Sequence, residues 1–167
     1  MMHPVRVLIV EDFQPFRELL SSKIKHMRGF ELLAEAADGL EAVRMATELV
    51  PDLVLLDIGL PKIDGIESAK RIRKIIPSAR VLFVSEHSES EIVQFACTHG
   101  EGYVLKRDVE RDLLPAMNSV AYDHRAFVSR GLRKTGKPHS ICRVRAISSP
   151  KLPGTGVLLV DSGLGSN

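Results

Sequence analysis

The sequence predicts an α/β fold, in which five parallel strands form one doubly wound sheet with helices on both faces. Two observations support this prediction. Short apolar runs rich in Val, Ile and Leu alternate five times with stretches whose apolar residues recur at helical spacing. The runs are almost continuously apolar, as in strands buried on both faces. Repeated strand–helix units of this kind form a single domain of about 120 residues.

Each of the five strands is followed by a predicted helix. The strands are expected at residues 5–10, 30–36, 53–56, 80–84 and 103–105, and the run at 30–36 is the weakest. The helices are marked by the apolar residues Phe16, Leu19, Leu20, Ile24 and Met27; Leu40, Val43, Ala46 and Leu49; Ile66, Ala69, Ile72 and Ile75; Ile92, Phe95 and Ala96; and Leu113, Leu114, Met117 and Val120. Pro15 fits a first helical turn, while Gly29 and Gly100 fit helix ends.

Composition excludes several classes of protein. The chain of 167 residues is 44% hydrophobic and 26% charged, which is ordinary for a globular protein with one core. No apolar run approaches the roughly 20 residues that a membrane span needs, and Glu11 and Asp12 end the first run. We therefore expect a cytoplasmic protein without a signal peptide. Cys97 and Cys142 lack metal-ligand spacing, which excludes zinc chemistry.

The charge distribution divides the chain into an acidic part and a basic end. Residues 1–123 carry 15 basic and 20 acidic side chains, whereas residues 124–167 carry 8 basic side chains and one acid. We expect 1–123 to be the folded domain and 124–132 a linker remnant. Gly, Pro and Ser make up 13 of the 35 residues of 133–167, which predicts a disordered basic tail. Within it, residues 156–161 could form a short strand if they find a partner.

Acidic residues follow two of the predicted strands. Glu11 and Asp12 come directly after the first strand, and Asp57 comes directly after the third. In an open parallel sheet the carboxyl ends of neighbouring strands meet at the ligand-binding edge. Three carboxylates placed together repel one another unless a hard cation lies among them, and oxygen ligands suit Mg²⁺. The sequence therefore predicts a magnesium site at this edge.

A hydroxyl and an amine complete a predicted phosphoryl-binding site at the same edge. Ser85 ends the fourth strand, and Lys106 follows the fifth. With Asp57 as acceptor, Mg²⁺ and Lys106 would neutralise the phosphoryl oxygens and Ser85 would donate a hydrogen bond. Each residue also has an ordinary explanation, since Asp12 could cap a helix, Lys106 could be a solvated charge and Ser85 could start a turn. Their coincidence at strand ends favours the site.

Five segments carry a resemblance to a known family. They are 7–12 (Val-Leu-Ile-Val-Glu-Asp) with Arg17, 37–42 (Ala-Asp-Gly-Leu-Glu-Ala), 51–57 (Pro-Asp-Leu-Val-Leu-Leu-Asp), 60–67 (Leu-Pro-Lys-Ile-Asp-Gly-Ile-Glu) and 102–106 (Gly-Tyr-Val-Leu-Lys). Their order and spacing resemble the phosphoreceiver domain of two-component response regulators over about residues 4–122. The resemblance implies a flavodoxin-like (βα)5 receiver fold and a protein switched by a phosphoryl group.

The resemblance also implies a role for each candidate residue. Asp57 would accept the phosphoryl group from a phosphohistidine. Four residues would hold Mg²⁺: Glu11, Asp12 and Asp57 through their side chains, and Gly59 through its backbone carbonyl. Lys106 would pair with the phosphate, Ser85 would swing toward it, and Tyr103 would change rotamer as the switch aromatic residue.

The partners follow from the same resemblance. They would be a sensor histidine kinase or phosphotransfer protein, an output partner on the surface of the fourth helix, fifth strand and fifth helix, and a second copy after phosphorylation. Residues 125–132 resemble the end of receivers that continue into a DNA-binding helix-turn-helix. The remaining 35 residues are too few and too rich in Gly, Pro and Ser for that domain. We expect a stand-alone signalling module, with no specific DNA binding, no membrane partner and no metabolic enzyme activity.

Two departures from the family pattern affect these expectations. The join 100–103 before the fifth strand is one residue short, which could displace Tyr103 or Lys106. Glu86 follows Ser85 where relatives commonly have a small or apolar residue, and its carboxylate could repel a phosphoryl group.

Two alternatives come from other classes of function. One is a Mg²⁺-dependent phosphohydrolase with Asp57 as nucleophile, although Gly59 stands where such chemistry wants a second acid. The other is nucleic-acid binding through the basic residues of 125–151.

Overall fold

The computed structural model describes residues 3–135. Its strands are β1 (Val5–Val10), β2 (Phe30–Ala36), β3 (Leu53–Leu56), β4 (Arg80–Ser85), β5 (Gly102–Leu105) and β6 (Phe127–Val128). Its α-helices are α1 (Gln14–Lys25), α2 (Gly39–Leu49), α3 (Gly65–Ile75), α4 (Ser90–Cys97) and α5 (Val109–Ala121). Short 3-10 helices span Lys106–Asp108 and Arg130–Thr135. All five predicted strands and all five predicted helices are present, in the predicted order.

The strands form one parallel sheet in the order β2-β1-β3-β4-β5-β6. The register pairs Val10 with Leu56, Leu56 with Phe83, and Ser85 with Leu105. The carboxyl ends of β1, β3, β4 and β5 therefore lie side by side. The strand order changes direction between β1 and β3, which is where open α/β sheets bind ligands.

The sheet separates two apolar layers. Leu8 and Val10 of β1 face α2, α3 and α4, whereas Val7 and Ile9 face α1 and α5. This alternation places every second strand residue in the same layer, because successive side chains of a strand point to opposite faces. Both faces of the sheet are thus covered, as the near-continuous apolar runs predict.

Aspartates cap the two helices that follow β2 and β3. The Asp38 carboxylate accepts a hydrogen bond from the main-chain N–H of Glu41 at 2.8 Å, and Asp64 accepts one from Glu67 at 2.8 Å. Each cap stabilises its helix by about 1 kcal/mol. The cap at Asp64 fixes the start of α3 beside the end of β3.

The sheet has six strands, one more than the sequence predicts. The segment 124–132, which we expected to be a linker remnant, contains β6, and β6 pairs in parallel with β5. A strand of two residues gives little local signal, so β6 depends on the exposed edge that β5 offers. Of the expected disordered tail 133–167, residues 136–167, including 156–161, lie outside the described part.

Within residues 3–135, no helix is long and apolar enough to cross a membrane, since the longest, α5, has 13 residues.

Candidate functional site

A pocket of about 660 Å³ opens at the carboxyl edge of the sheet, and all the predicted site residues except Tyr103 line it. Four strands contribute to it: β1 is followed by Glu11 and Asp12, β3 by Asp57 and Gly59, β4 ends at Ser85, and β5 is followed by Lys106. The structure therefore brings together six residues from four separate parts of the chain.

Main-chain contacts fix the position of Asp57. Its N–H donates to the carbonyl of Val10 at 3.0 Å, and its Oδ1 accepts from the N–H of Ile58 at 2.7 Å. A Cβ at Gly65 would clash with the carbonyl oxygen of Asp57, so only glycine lets α3 start so close to this residue. Asp57 is 6% exposed, which leaves its carboxylate accessible only from the pocket.

Lys106 bridges two carboxylates across the pocket. Its Nζ lies 2.9 Å from Asp57 Oδ2 and 2.7 Å from Glu11 Oε2. Burial alone would lower the pKa of Lys106, but the hydrogen bonds and charges of Glu11 and Asp57 outweigh it and raise the pKa. The amine is therefore a permanent cation beside Asp57.

Glu11 is the most buried acid of the site, at 1% exposed. Burial raises the pKa of Glu11, the hydrogen bond from Lys106 lowers it in part, and the charge of Asp57 raises it further. Its Oε1 also accepts from the main-chain N–H of Phe13 at 3.1 Å. These contacts hold the carboxylate in one orientation toward the pocket.

The three acids can hold a cation together. One carboxylate oxygen from each of Glu11, Asp12 and Asp57 lies within 4.8 Å of the other two. All the donors are hard oxygens, and one of the acids, Asp12, is exposed to solvent. Lys106 supplies one positive charge against three negative ones, so the site retains negative charge that a divalent cation would neutralise.

Ser85 lines the pocket, Tyr103 lies behind it, and both contact the main chain of His87. Ser85 is 1% exposed, and its Oγ accepts a long hydrogen bond of 3.4 Å from the N–H of His87. Tyr103 is fully buried, and its hydroxyl donates to the carbonyl oxygen of His87 at 2.9 Å. Burial raises the pKa of Tyr103 to about 12. The main chain of His87 thus links Ser85, a residue of the predicted phosphoryl site, to Tyr103, which the resemblance implies as the switch aromatic residue.

Phe16 and His87 also line the pocket, and the sequence does not predict either of them as a site residue. Lys106 Nζ lies 4.9 Å from the centroid of the Phe16 ring, a geometry that favours a cation. In the sequence Phe16 fits the apolar face of the first helix, and only its spacing of four residues from Asp12 hints at the site. His87 has the pattern of a surface residue, although it follows Ser85 by only two positions.

The short join before β5 does not displace the site residues. Tyr103 pairs in register with Phe83, and Lys106 reaches Asp57. Glu101 fills the join: its carboxylate pairs with Arg73 of α3 and accepts the N–H of Val81 at 2.8 Å. This buried carboxylate fixes the start of β5. The sequence does not indicate this role of Glu101.

Residues 7–118 match the family model described as the response regulator receiver domain. The match covers more than half of the chain and includes all six of the predicted site residues that line the pocket. This chain belongs to the response regulator receiver family. Its receiver domain is the module of two-component systems that the five sequence segments resemble.

The receiver domain is similar to curated response regulators. The response regulator protein VraR of Staphylococcus aureus is 32% identical over 124 residues, which are 74% of this chain and 59% of VraR. The chain thus spans less than two thirds of the length of that relative.

Solved structures show the same fold. A two-component response regulator of the LuxR family from Aurantimonas sp. SI85-9A1 is 31% identical, with a TM-score of 0.74 over 78% of this chain and 94% of that one. A DNA-binding response regulator of the LuxR family from Staphylococcus aureus is 30% identical, with a TM-score of 0.66 over 70% of this chain and 98% of that one. These relatives do not support our expectations of a stand-alone receiver without specific DNA binding.

Proposed function

We propose that this receiver domain is a phosphorylation-controlled switch whose acceptor is Asp57. The observation that carries the proposal is the contact of Asp57 with Lys106 at 2.9 Å, inside an open pocket that also holds Glu11 and Asp12. A carboxylate that is fixed by the main chain, reachable from solvent and next to a permanent cation is suited to accept a phosphoryl group.

The transfer exchanges one bond for another. A carboxylate oxygen of Asp57 attacks the phosphorus of a phosphohistidine, the P–N bond breaks, and an acyl phosphate forms on Asp57. The bonding electrons of the P–N bond leave with the imidazole nitrogen of the donor. Lys106 remains beside the new phosphoryl oxygens, because its Nζ already contacts Asp57 Oδ2.

The acids of the pocket fit a magnesium ion. Glu11, Asp12 and Asp57 would hold it with the carbonyl of Gly59, whose main chain adjoins Asp57. Bound there, Mg²⁺ would neutralise negative charge on the phosphoryl oxygens and orient them. Asp12 is the exposed member, so it is the ligand that can adjust to the ion.

Ser85 and Tyr103 would report the phosphorylated state. A phosphoryl group adds close to two negative charges, and the Ser85 hydroxyl is the nearby donor on β4 that can turn toward it. This would break the long contact between Ser85 and the N–H of His87. The carbonyl of His87 holds the Tyr103 hydroxyl, so the change would reach the buried ring.

The proposed partners follow from this chemistry. A sensor histidine kinase or phosphotransfer protein would supply the phosphoryl group in the cytoplasm. The output partner would contact the surface of α4, β5 and α5, and phosphorylation would favour a homodimer. Glu86 lines the pocket, and its carboxylate would repel a phosphoryl group there. We propose a signalling module that catalyses only its own phosphoryl transfer and dephosphorylation.

Intact mass measurement tests the proposal. The full chain is incubated with Mg²⁺ and acetyl phosphate, and we expect one added phosphoryl group that maps to Asp57. Asp57→Asn should gain none, whereas Asp123→Asn, an exposed acid outside the pocket, should behave as the unaltered chain does. Modification of another residue in the unaltered chain would overturn the assignment.

A further inference from the structure

The edge of β5 is occupied by the chain's own segment 126–132, which we call the β6 segment. The N–H of Phe127 donates to the carbonyl of Glu101 at 3.2 Å, and that of Ser129 donates to the carbonyl of Tyr103 at 2.9 Å. The N–H of Leu105 donates to Ser129 Oγ at 3.0 Å, so a side chain continues the ladder where the strand ends. The surface proposed for output is therefore partly covered by the β6 segment.

A buried carboxylate of α5 holds the β6 segment from the other side. Asp112 is 2% exposed and accepts the main-chain N–H of Arg130 at 3.2 Å. Burial would raise the pKa of Asp112, but hydrogen bonds from Arg111, Ser129 and Arg130 lower it. Ser129 is fully buried and thus joins β5 to α5, since its Oγ accepts from Leu105 and donates to Asp112.

Apolar side chains and a glycine also pack the β6 segment closely against the domain. Val128 and Leu132 belong to the same apolar layer as Tyr103 and Leu105. Gly131 lies so close to the 3-10 helix after β5 that a Cβ there would be 2.9 Å from Asp108 Oδ2. The β6 segment is packed as part of the domain, although it belongs to the region beyond the last helix.

The β6 segment contacts the residues that adjoin the phosphoryl site. Leu105 lines the pocket and directly precedes Lys106, and its N–H is the donor to Ser129. Tyr103 accepts the N–H of Ser129 with its carbonyl, and its hydroxyl donates to the carbonyl of His87, which lines the pocket. Leu105, which contacts Ser129 of the β6 segment, is thus directly bonded to Lys106, the cation beside Asp57.

We propose that the β5 edge is a docking surface for the β6 segment, and that phosphorylation of Asp57 releases the segment. This inference rests on the proposed function of Asp57. A phosphoryl group gives Lys106 a more highly charged partner than the Asp57 carboxylate, and the main chain of Leu105 and Lys106 moves with the amine. A shift of about 0.5 Å takes Leu105 N beyond hydrogen-bonding distance of Ser129 Oγ.

Thermodynamic linkage makes the proposal testable in both directions. If phosphorylation weakens docking, then weakened docking must favour phosphorylation by the same factor. Ser129→Ala removes the acceptor for Leu105 and a donor to Asp112 without adding volume. Ser22→Ala, at an exposed position of α1, is the matched control. Asp112→Asn is the second variant, because it keeps the shape of the side chain and removes its charge.

The experiment measures amide exchange by NMR and phosphoryl occupancy by intact mass on the full chain with Mg²⁺ and acetyl phosphate. We expect exchange of the amides at positions 105 and 129 to become at least tenfold faster after phosphorylation, and to stay unchanged in Asp57→Asn. Ser129→Ala and Asp112→Asn should show fast exchange before phosphorylation and at least a threefold higher ratio of phosphorylated to unmodified chain. Ser22→Ala should match the unaltered chain.

The outcomes separate the two proposals. Phosphorylation at Asp57 with unchanged exchange at both positions, or equal occupancy in all variants, overturns docking control and leaves the proposed function intact. Absence of phosphoryl uptake overturns the proposed function and, with it, phosphorylation control of the edge.

Discussion

Tyr103 donates its hydroxyl hydrogen to the carbonyl oxygen of His87 at 2.9 Å, so the core of β5 is tied to the loop that precedes α4. The ring is fully buried, and the carbonyl belongs to a residue of the pocket wall. Tyr103→Phe should keep the packing of the ring and lose this hydrogen bond. We expect the free energy of unfolding to fall by about 1 kcal/mol at pH 7, measured by urea denaturation.

The same residue predicts a dependence of stability on alkaline pH. The pKa of Tyr103 is raised to about 12, above the value of about 10 in an unfolded chain. The native state therefore keeps its proton more tightly, so this contribution to stability is full below pH 10 and is lost as the pH rises toward 12. Between pH 9 and pH 11, the unaltered chain should lose about 1 kcal/mol more stability than Tyr103→Phe. Equal losses would contradict the burial of an ionisable hydroxyl.

Lys106→Met should destabilise the domain more at neutral pH than at pH 5. The substitution removes the hydrogen bond that lowers the pKa of Glu11, so burial and the charge of Asp57 raise that pKa further. A carboxyl with a raised pKa stabilises the fold below its unfolded value and loses that contribution as the pH rises through the folded value. We expect a loss of about 3 kcal/mol at pH 7.5 and about 1 kcal/mol less at pH 5. Denaturation curves at both pH values check this, and a loss that does not vary with pH would contradict it.

Much of this fold and site was predictable because its signals are local. The β1 and β3 runs are apolar on both faces, and each ends at an acid, which identifies both the sheet and its functional edge. The contact of Asp57 with Lys106 follows from topology, since β3 and β5 are parallel strands of one sheet and end at the same edge, on either side of β4.

Non-local pairing explains what the sequence did not reveal. Phe127 and Val128 form a strand only because β5 offers an edge at Gly102 and Tyr103, and Ser129 gives no sign of its contact with Leu105. Glu101 lies between two glycines and has the local pattern of a loop acid. Its burial depends on Arg73 from α3, which no local pattern connects with it.

Arg73→Ala should lower the free energy of unfolding far more than Arg71→Ala, a substitution on the same helix. Arg73 pairs with Glu101, and both side chains are largely buried, at 14% and 8% exposed. Removal of Arg73 leaves a buried carboxylate without its cation, which costs about 3 kcal/mol. Arg71→Ala breaks the exposed pair with Glu67 on the same helix and should cost about 0.5 kcal/mol. Similar losses in the two variants would show that the buried pair is not needed.

Magnesium should stabilise the unaltered chain through the three acids. We expect a higher Tm when Mg²⁺ is added, because the ion binds the native arrangement of carboxylates. Asp12→Ala removes the exposed ligand and should lose most of this shift, while Asp123→Ala should keep it. Thermal denaturation at several Mg²⁺ concentrations measures the effect. An unchanged shift in Asp12→Ala would place the ion elsewhere.

Two truncated chains show separately whether the β6 segment and the residues that follow it stabilise the domain. A chain ending at residue 135 keeps Val128 and Leu132, which are buried at 6% and 7% exposed, and it should unfold and accept a phosphoryl group as the full chain does. A chain ending at residue 123 exposes part of the Tyr103 layer and leaves Asp112 without the N–H of Arg130. Loss of two buried aliphatic side chains should lower the free energy of unfolding by about 4 kcal/mol. Urea denaturation of the two truncated chains measures the difference, and equal stabilities would mean that the folded domain ends at α5, as the sequence alone predicts.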